Sequence, residues 1–293
     1  MTSESPGLSF IQGFGILNGD KMEVVVVGNK GMLGHMVEKH LSRQPKFSVR
    51  GFGRETLEIT PNTYSSFATK LTRHVGLTAD YVINCVGAIK PHFNNKSAIA
   101  TNIFTNAIFP HFLSQWGQET GTKVIHITTD CVFDGKQGKY TEISPHTALD
   151  AYGKSKSIGE PETCMVIRTS IIGPEVGTKK SLLEWVLSRG VEGCVNGFTN
   201  HLWNGLTTLE LARSLHQIMD RDLYSLGTYH LFSNDISKYD LVSEISKNYG
   251  LNLHVNPVEA EPCDRTLRTV KSLNFSLDIP TIERQINELK KYE

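Results

Sequence analysis

The 293-residue sequence carries no surplus of either charge: 30 Lys and Arg stand against 30 Asp and Glu. Nucleic acid and anionic membranes call for a one-signed field, so neither is expected as the partner. Cysteine is scarce, with Cys85, Cys131, Cys164, Cys194 and Cys263 as the full set. The number is odd and no CxxC pair occurs, so neither a disulfide framework nor a zinc ribbon is expected, and no metal site at all. Reduced thiols in the cytoplasm are the simple reading. No apolar run approaches the roughly 20 residues that span a bilayer. Residues 1–21 have no basic stretch ahead of their apolar part, and glycines interrupt that part. They read as a loose extension rather than a signal peptide. There is no internal repeat and no low-complexity tract.

What is present is alternation. Met22–Val27 (MEVVVV) is a continuous apolar run suited to a strand buried on both faces of a parallel sheet. GNKGMLG follows, and then HMVEKHLSR with helical spacing. Further strands are expected at 47–52, 80–86, 123–128 and 165–169, with helices at 64–75, about 98–116 and 151–160 between them. Pro110 should bend the second of these helices. This order predicts an α/β protein: a Rossmann-type, doubly wound parallel sheet over residues 22–170. From 171 to 293 the alternation loosens around helices at 180–188, 208–219 and 238–248. That part reads as a smaller mixed α/β C-terminal substrate lobe, partly interleaved with the sheet, across a cleft.

Gly28, Gly31 and Gly34 directly follow the first strand and open a helix. Glycine there permits the tight turn, the approach of backbone to a pyrophosphate and close helix–strand packing; the helix N-terminus adds positive potential. Gly28 to Gly34, with Met32 and Leu33, is therefore the expected dinucleotide loop. A glycine-rich turn without a ligand has the same spacing, and the strand–loop–helix context favours the cofactor. The second strand leads into Gly-Phe-Gly-Arg54, with no carboxylate until Glu55, and Lys30 lies inside the loop. Cations at Lys30 and Arg54 suit the 2′-phosphate of NADP, although Arg54 as a solvated surface residue is the plain alternative and NAD stays open.

Tyr152 and Lys156 stand at i and i+4 on one helical face. A neighbouring ammonium favours phenolate, so such a tyrosine can exchange a proton with a carbonyl or alcohol oxygen. Thr129, at the end of the fourth strand, would supply a hydroxyl to the same oxygen. Tyr-x-x-x-Lys by itself is common; its order after a glycine loop and a strand-end threonine is much less so.

The segments VVVVGNKGMLG, DYVINCVGAIK, VIHITTDCVFDGKQGKYTE, AYGKSKSIGE and VIRTSIIG resemble the extended short-chain dehydrogenase/reductases, and especially the dTDP-4-dehydrorhamnose reductase branch. The resemblance implies NAD(P)-dependent reduction of a nucleotide-linked 4-keto-6-deoxy sugar. It would place Cys85, Val86 and Gly87 along the cofactor, Asn106 behind the lysine, Thr129 on the substrate carbonyl, Tyr152 as proton donor and Lys156 on the nicotinamide ribose. Asp130, Cys131, His201 and Arg265 would face the substrate, the last beside its diphosphate; Asn204, in a loop that leads into a helix where anions can bind, would join them. A homodimer is one assembly such enzymes form. Dehydratases of this superfamily carry Thr-Asp-Glu where this chain has Thr129-Asp130-Cys131, so dehydration is excluded. Cys131 leaves two readings open: it is a small packing residue, or it exchanges a proton beside the ketone with His201 as its partner acid, as in the epimerising GDP-fucose synthase type. A sugar-nucleotide 4-epimerase, which would keep its cofactor bound through both half-reactions, is a separate enzyme alternative. From another class, a non-catalytic subunit like the β-subunit of methionine adenosyltransferase would not need the Thr–Tyr–Lys set.

Overall fold

The computed structural model describes residues 21–76, 79–177 and 179–293. All but Lys21 of the expected N-terminal extension lies outside them. The first half runs β1 (Met22–Val27), α1 (Gly34–Leu41), β2 (Phe47–Phe52), α2 (Tyr64–Val75), β3 (Tyr81–Asn84), α3 (Ile99–Ile103), α4 (Phe109–Thr120), β4 (Lys123–Thr129), α5 (Ala151–Ile158) and β5 (Met165–Thr169). The second half adds β6 (Ile171–Ile172), α6 (Leu182–Leu187), β7 (Cys194–Phe198), β8 (His201–Trp203), β9 (Leu206–Thr207), α7 (Thr208–Asp220), β10 (Gly227–His230), β11 (Ile236–Ser237), α8 (Lys238–Asn248), β12 (His254–Val258), β13 (Cys263–Asp264), α9 (Leu273–Ser276) and α10 (Ile282–Tyr292).

The central sheet has the order β10-β5-β4-β3-β1-β2, and its five strand pairs are all parallel. Alternate residues of each strand enter different cores. Val24, Val26, Ile83, Ile125 and Ile167 pack with α1, α7 and α10 residues such as Met36, Leu215 and Ile286. Val25, Val27, Val82, Val124 and Val166 pack on the other face with Phe67, Leu71, Phe109 and Trp116 of α2 and α4. Valine and isoleucine dominate because both faces of these strands are covered by helices. Three small sheets, β11-β8-β13, β12-β7 and β6-β9, carry the rest of the C-terminal half. β10 leaves that half to become an edge strand of the central sheet, paired with β5.

Two details differ from the sequence expectation. β3 stops at Asn84, not Val86, because the Asn84 side-chain carbonyl accepts the Val86 N–H at 3.0 Å and turns the chain. Instead of a simple bend at Pro110, the helix contains a π segment at Phe104–Ile108, between α3 and α4. Proline has no N–H to give the carbonyl of residue 106. Gly159 fits against that carbonyl so closely that a Cβ there would lie 1.8 Å from it.

Candidate active site

The strand order reverses between β1 and β3, and the loops leaving β1, β3, β4 and β5 gather at the C-terminal edge of the sheet. Ligands of open α/β sheets bind at such an edge. The loop after β1 is built around glycine. Gly28 has φ +88°, and a Cβ on it would meet Val86 Cγ2 at 2.9 Å. A Cβ on Gly34 would lie 2.2 Å from the Gly28 carbonyl oxygen. Leu33 is buried in the core as the N-cap of α1, whereas Met32 is half-buried and Gly31 exposed. Lys30 forms a 2.8 Å ion pair with Glu55 at the surface, and Arg54 is exposed beside it. The buried Oδ1 of Asn29 has no partner among the described residues. Tight backbone approach, an unpaired acceptor and two cations fit a phosphorylated dinucleotide.

Across the crevice, Asn106 on the π segment donates to the Ala88 carbonyl at 2.9 Å and accepts the Ala88 N–H at 2.8 Å. Its amide also reaches Ser155 Oγ at 3.2 Å. It thereby ties the loop after β3, which holds Cys85, Val86 and Gly87, to α5. A Cβ on Gly87 would sit 2.7 Å from Lys156 Nζ, so the lysine head lies against that loop. Burial lowers Lys156 to about 8, with the carboxylate of Glu160 and the thiol of Cys131 acting in the opposite sense. Burial likewise pushes Cys85 up to about 12.

Asp150 caps α5, accepting the Gly153 N–H at 2.8 Å, and this aims Tyr152 at the end of β4. Phe93 packs edge-on against the Tyr152 ring at 6.0 Å. Burial holds the Tyr152 phenol well above its ordinary value, Cys131 adds to that, and interaction with the Thr129 hydroxyl opposes it. Thr129 Oγ1 also donates to Asp130 Oδ1 at 3.0 Å and accepts the Cys131 N–H at 3.1 Å. Asp130 is buried, which raises its carboxyl, and Arg265 and the Thr129 hydroxyl offset that only in part. Cys131 is pushed up to about 12 by burial first and by the Asp130 charge second. Its thiol is therefore protonated at neutral pH.

The C-terminal half supplies two cations here. Arg265 donates to the carbonyls of Phe133 at 3.0 Å and Asp134 at 3.3 Å, and its charge acts on Cys131, Cys263 and Asp130. Lys238, the first residue of α8, lies 5.0 Å from the Trp203 ring centroid and within electrostatic reach of Asp130, Cys131 and Cys263. Burial lowers it to about 8. Its position in sequence gave no sign of this; only the seating of α8 beside the β4 end reveals it. The His201 ring contacts the Glu261 carbonyl through Nε2 at 2.9 Å and Phe198 at 4.5 Å. Asn204 is buried, bonding to Asp235, the Leu267 carbonyl and the Leu267 N–H at 2.9–3.1 Å. It pins two loops of the C-terminal half together. Among the described residues no three His, Cys, Asp or Glu side chains gather as metal ligands, and no helix is long and apolar enough to cross a membrane.

Known proteins resemble this chain in sequence and in fold. The family model described as the RmlD substrate binding domain matches residues 22–288. A methionine adenosyltransferase 2 subunit beta from Xenopus laevis is 24% identical over 285 residues, covering 89% of this chain and 81% of its own. A dTDP-4-dehydrorhamnose reductase from Aggregatibacter actinomycetemcomitans is 24% identical over 245 residues, covering 76% of this chain and 77% of its own. The crystal structure of a dTDP-4-dehydrorhamnose reductase from Bacillus anthracis, in complex with NADP, superposes with a TM-score of 0.78 at 20% identity, covering 94% of this chain and all of the other.

Proposed function

Since the chain belongs to the RmlD substrate binding domain family, we propose that it is an NADPH-dependent reductase of a nucleotide-linked 4-keto-6-deoxy sugar. The observation that carries the proposal is Tyr152 beside Thr129 at the end of β4, with Lys156 on the same helix held against the loop after β3 that packs on Gly28. Relatives and a structural neighbour named as dTDP-4-dehydrorhamnose reductases, the latter with NADP, support it.

Gly28, Gly31 and Gly34 would hold the pyrophosphate, Lys30 and Arg54 the 2′-phosphate, and Lys156 the nicotinamide ribose. A nicotinamide nucleotide held there would supply the hydride for the reduction. The chain's own residues handle the oxygen. The Thr129 hydroxyl hydrogen-bonds the carbonyl oxygen and fixes it beside Tyr152. The phenol, kept protonated by its burial, gives its proton to that oxygen as negative charge builds on it. Lys156 stays cationic below about pH 8 and stabilises the phenolate left behind. Lys238 and Arg265 offer positive charge on the substrate side of Asp130, which suits a diphosphate-bearing molecule.

Epimerisation through Cys131 draws no support from the site, because a thiol held near 12 is a poor base. The regulatory reading rests on one specific observation, the match to methionine adenosyltransferase β-subunits over 89% of the chain. A binding subunit has no need of Thr129, Tyr152 and Lys156 together. Incubation with NADPH and dTDP-, UDP-, GDP- or CDP-linked 4-keto sugars decides between them. Nucleotide oxidation with one sugar supports the reductase; none with any, together with capture of a partner enzyme, supports the regulator.

A further inference from the structure

The chemistry leaves one buried cation unused. Arg168, on β5, is 2% exposed, and its guanidinium is shared among three other segments of the chain. Nε donates to Glu160 Oε1 at 3.1 Å and Nη2 to Glu160 Oε2, just past the end of α5. Nη2 also donates to His146 Nε2 at 2.8 Å, in the loop between β4 and α5. Nη1 donates to His230 Nε2 at 2.7 Å, at the end of β10. A guanidinium is a donor only, so each histidine takes its bond on a bare nitrogen. The ring proton then sits on Nδ1: His146 gives it to Ser157 Oγ on α5, and His230 gives it to the Arg268 carbonyl at 2.7 Å. Both rings are therefore neutral. Burial, with the Arg168 charge adding to it, holds His230 down at about 4.

Arg268 belongs to the segment that carries Arg265. Its N–H donates to the Tyr140 carbonyl at 2.7 Å, and Tyr140 stacks on Phe133 at 4.1 Å. Phe133 gives its carbonyl to Arg265 and its ring to Arg168, 5.2 Å away. Arg168 is thus joined to α5, which bears Tyr152 and Lys156, through Glu160 and His146, and to the Arg265 segment through His230. We propose that Arg168 is a positioning residue for the reduction: with His230 as its link, it sets α5 in register with the Arg265 segment, so that a sugar held by its diphosphate brings its carbonyl to Tyr152. This rests on the reading of the site as a nucleotide-sugar reductase. A buried ion pair adds little stability over an apolar replacement of the same volume. Its directional, charge-assisted bonds do fix relative position. A misplacement of about 1 Å at a reacting centre costs on the order of a hundredfold in rate.

The test compares His230→Leu with His230→Gln in the full chain, using NADPH and a dTDP-linked 4-keto-6-deoxy sugar. Glutamine can accept from Arg168 and donate to the Arg268 carbonyl; leucine can do neither. His230→Leu is expected to lower kcat by about tenfold to a hundredfold and to raise the sugar KM about tenfold, as loss of a charge-assisted contact would. Its NADPH dissociation constant should match the parent, because Asn106 ties α5 to the loop after β3 independently of Arg168. His230→Gln should stay close to the parent in all three. A purely structural role would lower the melting temperature and the active fraction but leave the KM alone. Should the leucine variant fail to fold, His230→Asn, whose amide is too short to reach Arg168, carries the same expected losses. Parent-like kcat and KM in the folded variant that lacks the link, or equal losses in His230→Gln, would overturn the role of Arg168 and leave the reductase reading standing. If the parent oxidises no NADPH with any nucleotide-linked keto-sugar, the reductase reading fails, and the role of Arg168 with it.

Discussion

Lys156→Met tests whether the active-site lysine is held in the fold against a cost. Its ammonium is buried against the Gly87 backbone and forms no hydrogen bond with a described residue; Glu160 and Cys131 provide only charge at a distance. Its value falls from 10.5 to about 8. At about 1.4 kcal/mol per tenfold, that is a penalty of roughly 3 kcal/mol on the charged form in the folded state. The sign follows from proton counting. Between about pH 8 and 10.5 the unfolded chain holds a proton on this lysine that the folded chain has lost, so stability rises with pH through that window. Below about pH 8 both states hold the proton and the full penalty is present. Methionine is unbranched, of similar length and apolar. Lys156→Met should therefore stabilise the protein at pH 7 by up to roughly 3 kcal/mol, and this lysine's upward slope above pH 8 should vanish. Denaturant unfolding of both proteins at pH 7 and pH 9.5 measures this. A variant less stable than the parent at pH 7 would refute the reasoning and make Lys156 a structural residue. The same variant should bind nicotinamide dinucleotide more weakly and lose turnover by at least about a hundredfold, the usual size of a proton-transfer contribution.

Three other outcomes follow from the site. Gly34→Ala places a methyl 2.2 Å from the Gly28 carbonyl; it should destabilise the chain by roughly 1–3 kcal/mol as an overpacking change and weaken dinucleotide binding in titration. Cys131→Ser should leave product stereochemistry unchanged, because the thiol is protonated and takes no proton from carbon; NMR of the product shows whether a second epimer is lost. Lys238→Met should raise the KM for the nucleotide sugar about tenfold or more, as loss of a charge-assisted contact would, with little change in dinucleotide affinity; equal loss in both would move Lys238 out of the substrate site.

The sheet was legible because β1 and β3–β5 are buried on both faces, and only branched apolar runs satisfy that. β10, with the sequence GTYH, has no such signature: it sits half-buried at the sheet edge, where packing asks little of it. The trio Thr129, Tyr152 and Lys156 was legible because one helix turn and one strand end fix it locally. Lys238 was not, since it reaches Asp130 only through the packing of α8 beside the sheet. Asn204 shows the converse. Its place before a helix suggested a ligand contact, but nothing in the sequence told that Leu267 and Asp235 would take up its amide. Glu55 was visible as the first carboxylate after β2, but its pairing with Lys30 emerged only from the two loops lying side by side.

The most direct test of the account is NADPH oxidation with a dTDP-linked 4-keto-6-deoxy sugar by the parent chain and by Tyr152→Phe, with dinucleotide affinity measured on both. The account predicts steady oxidation by the parent, loss of at least about a hundredfold in the variant, and nearly equal dinucleotide dissociation constants. Equal rates in the two proteins, or a parent that binds NADPH and sugar without oxidising the nucleotide, would contradict it.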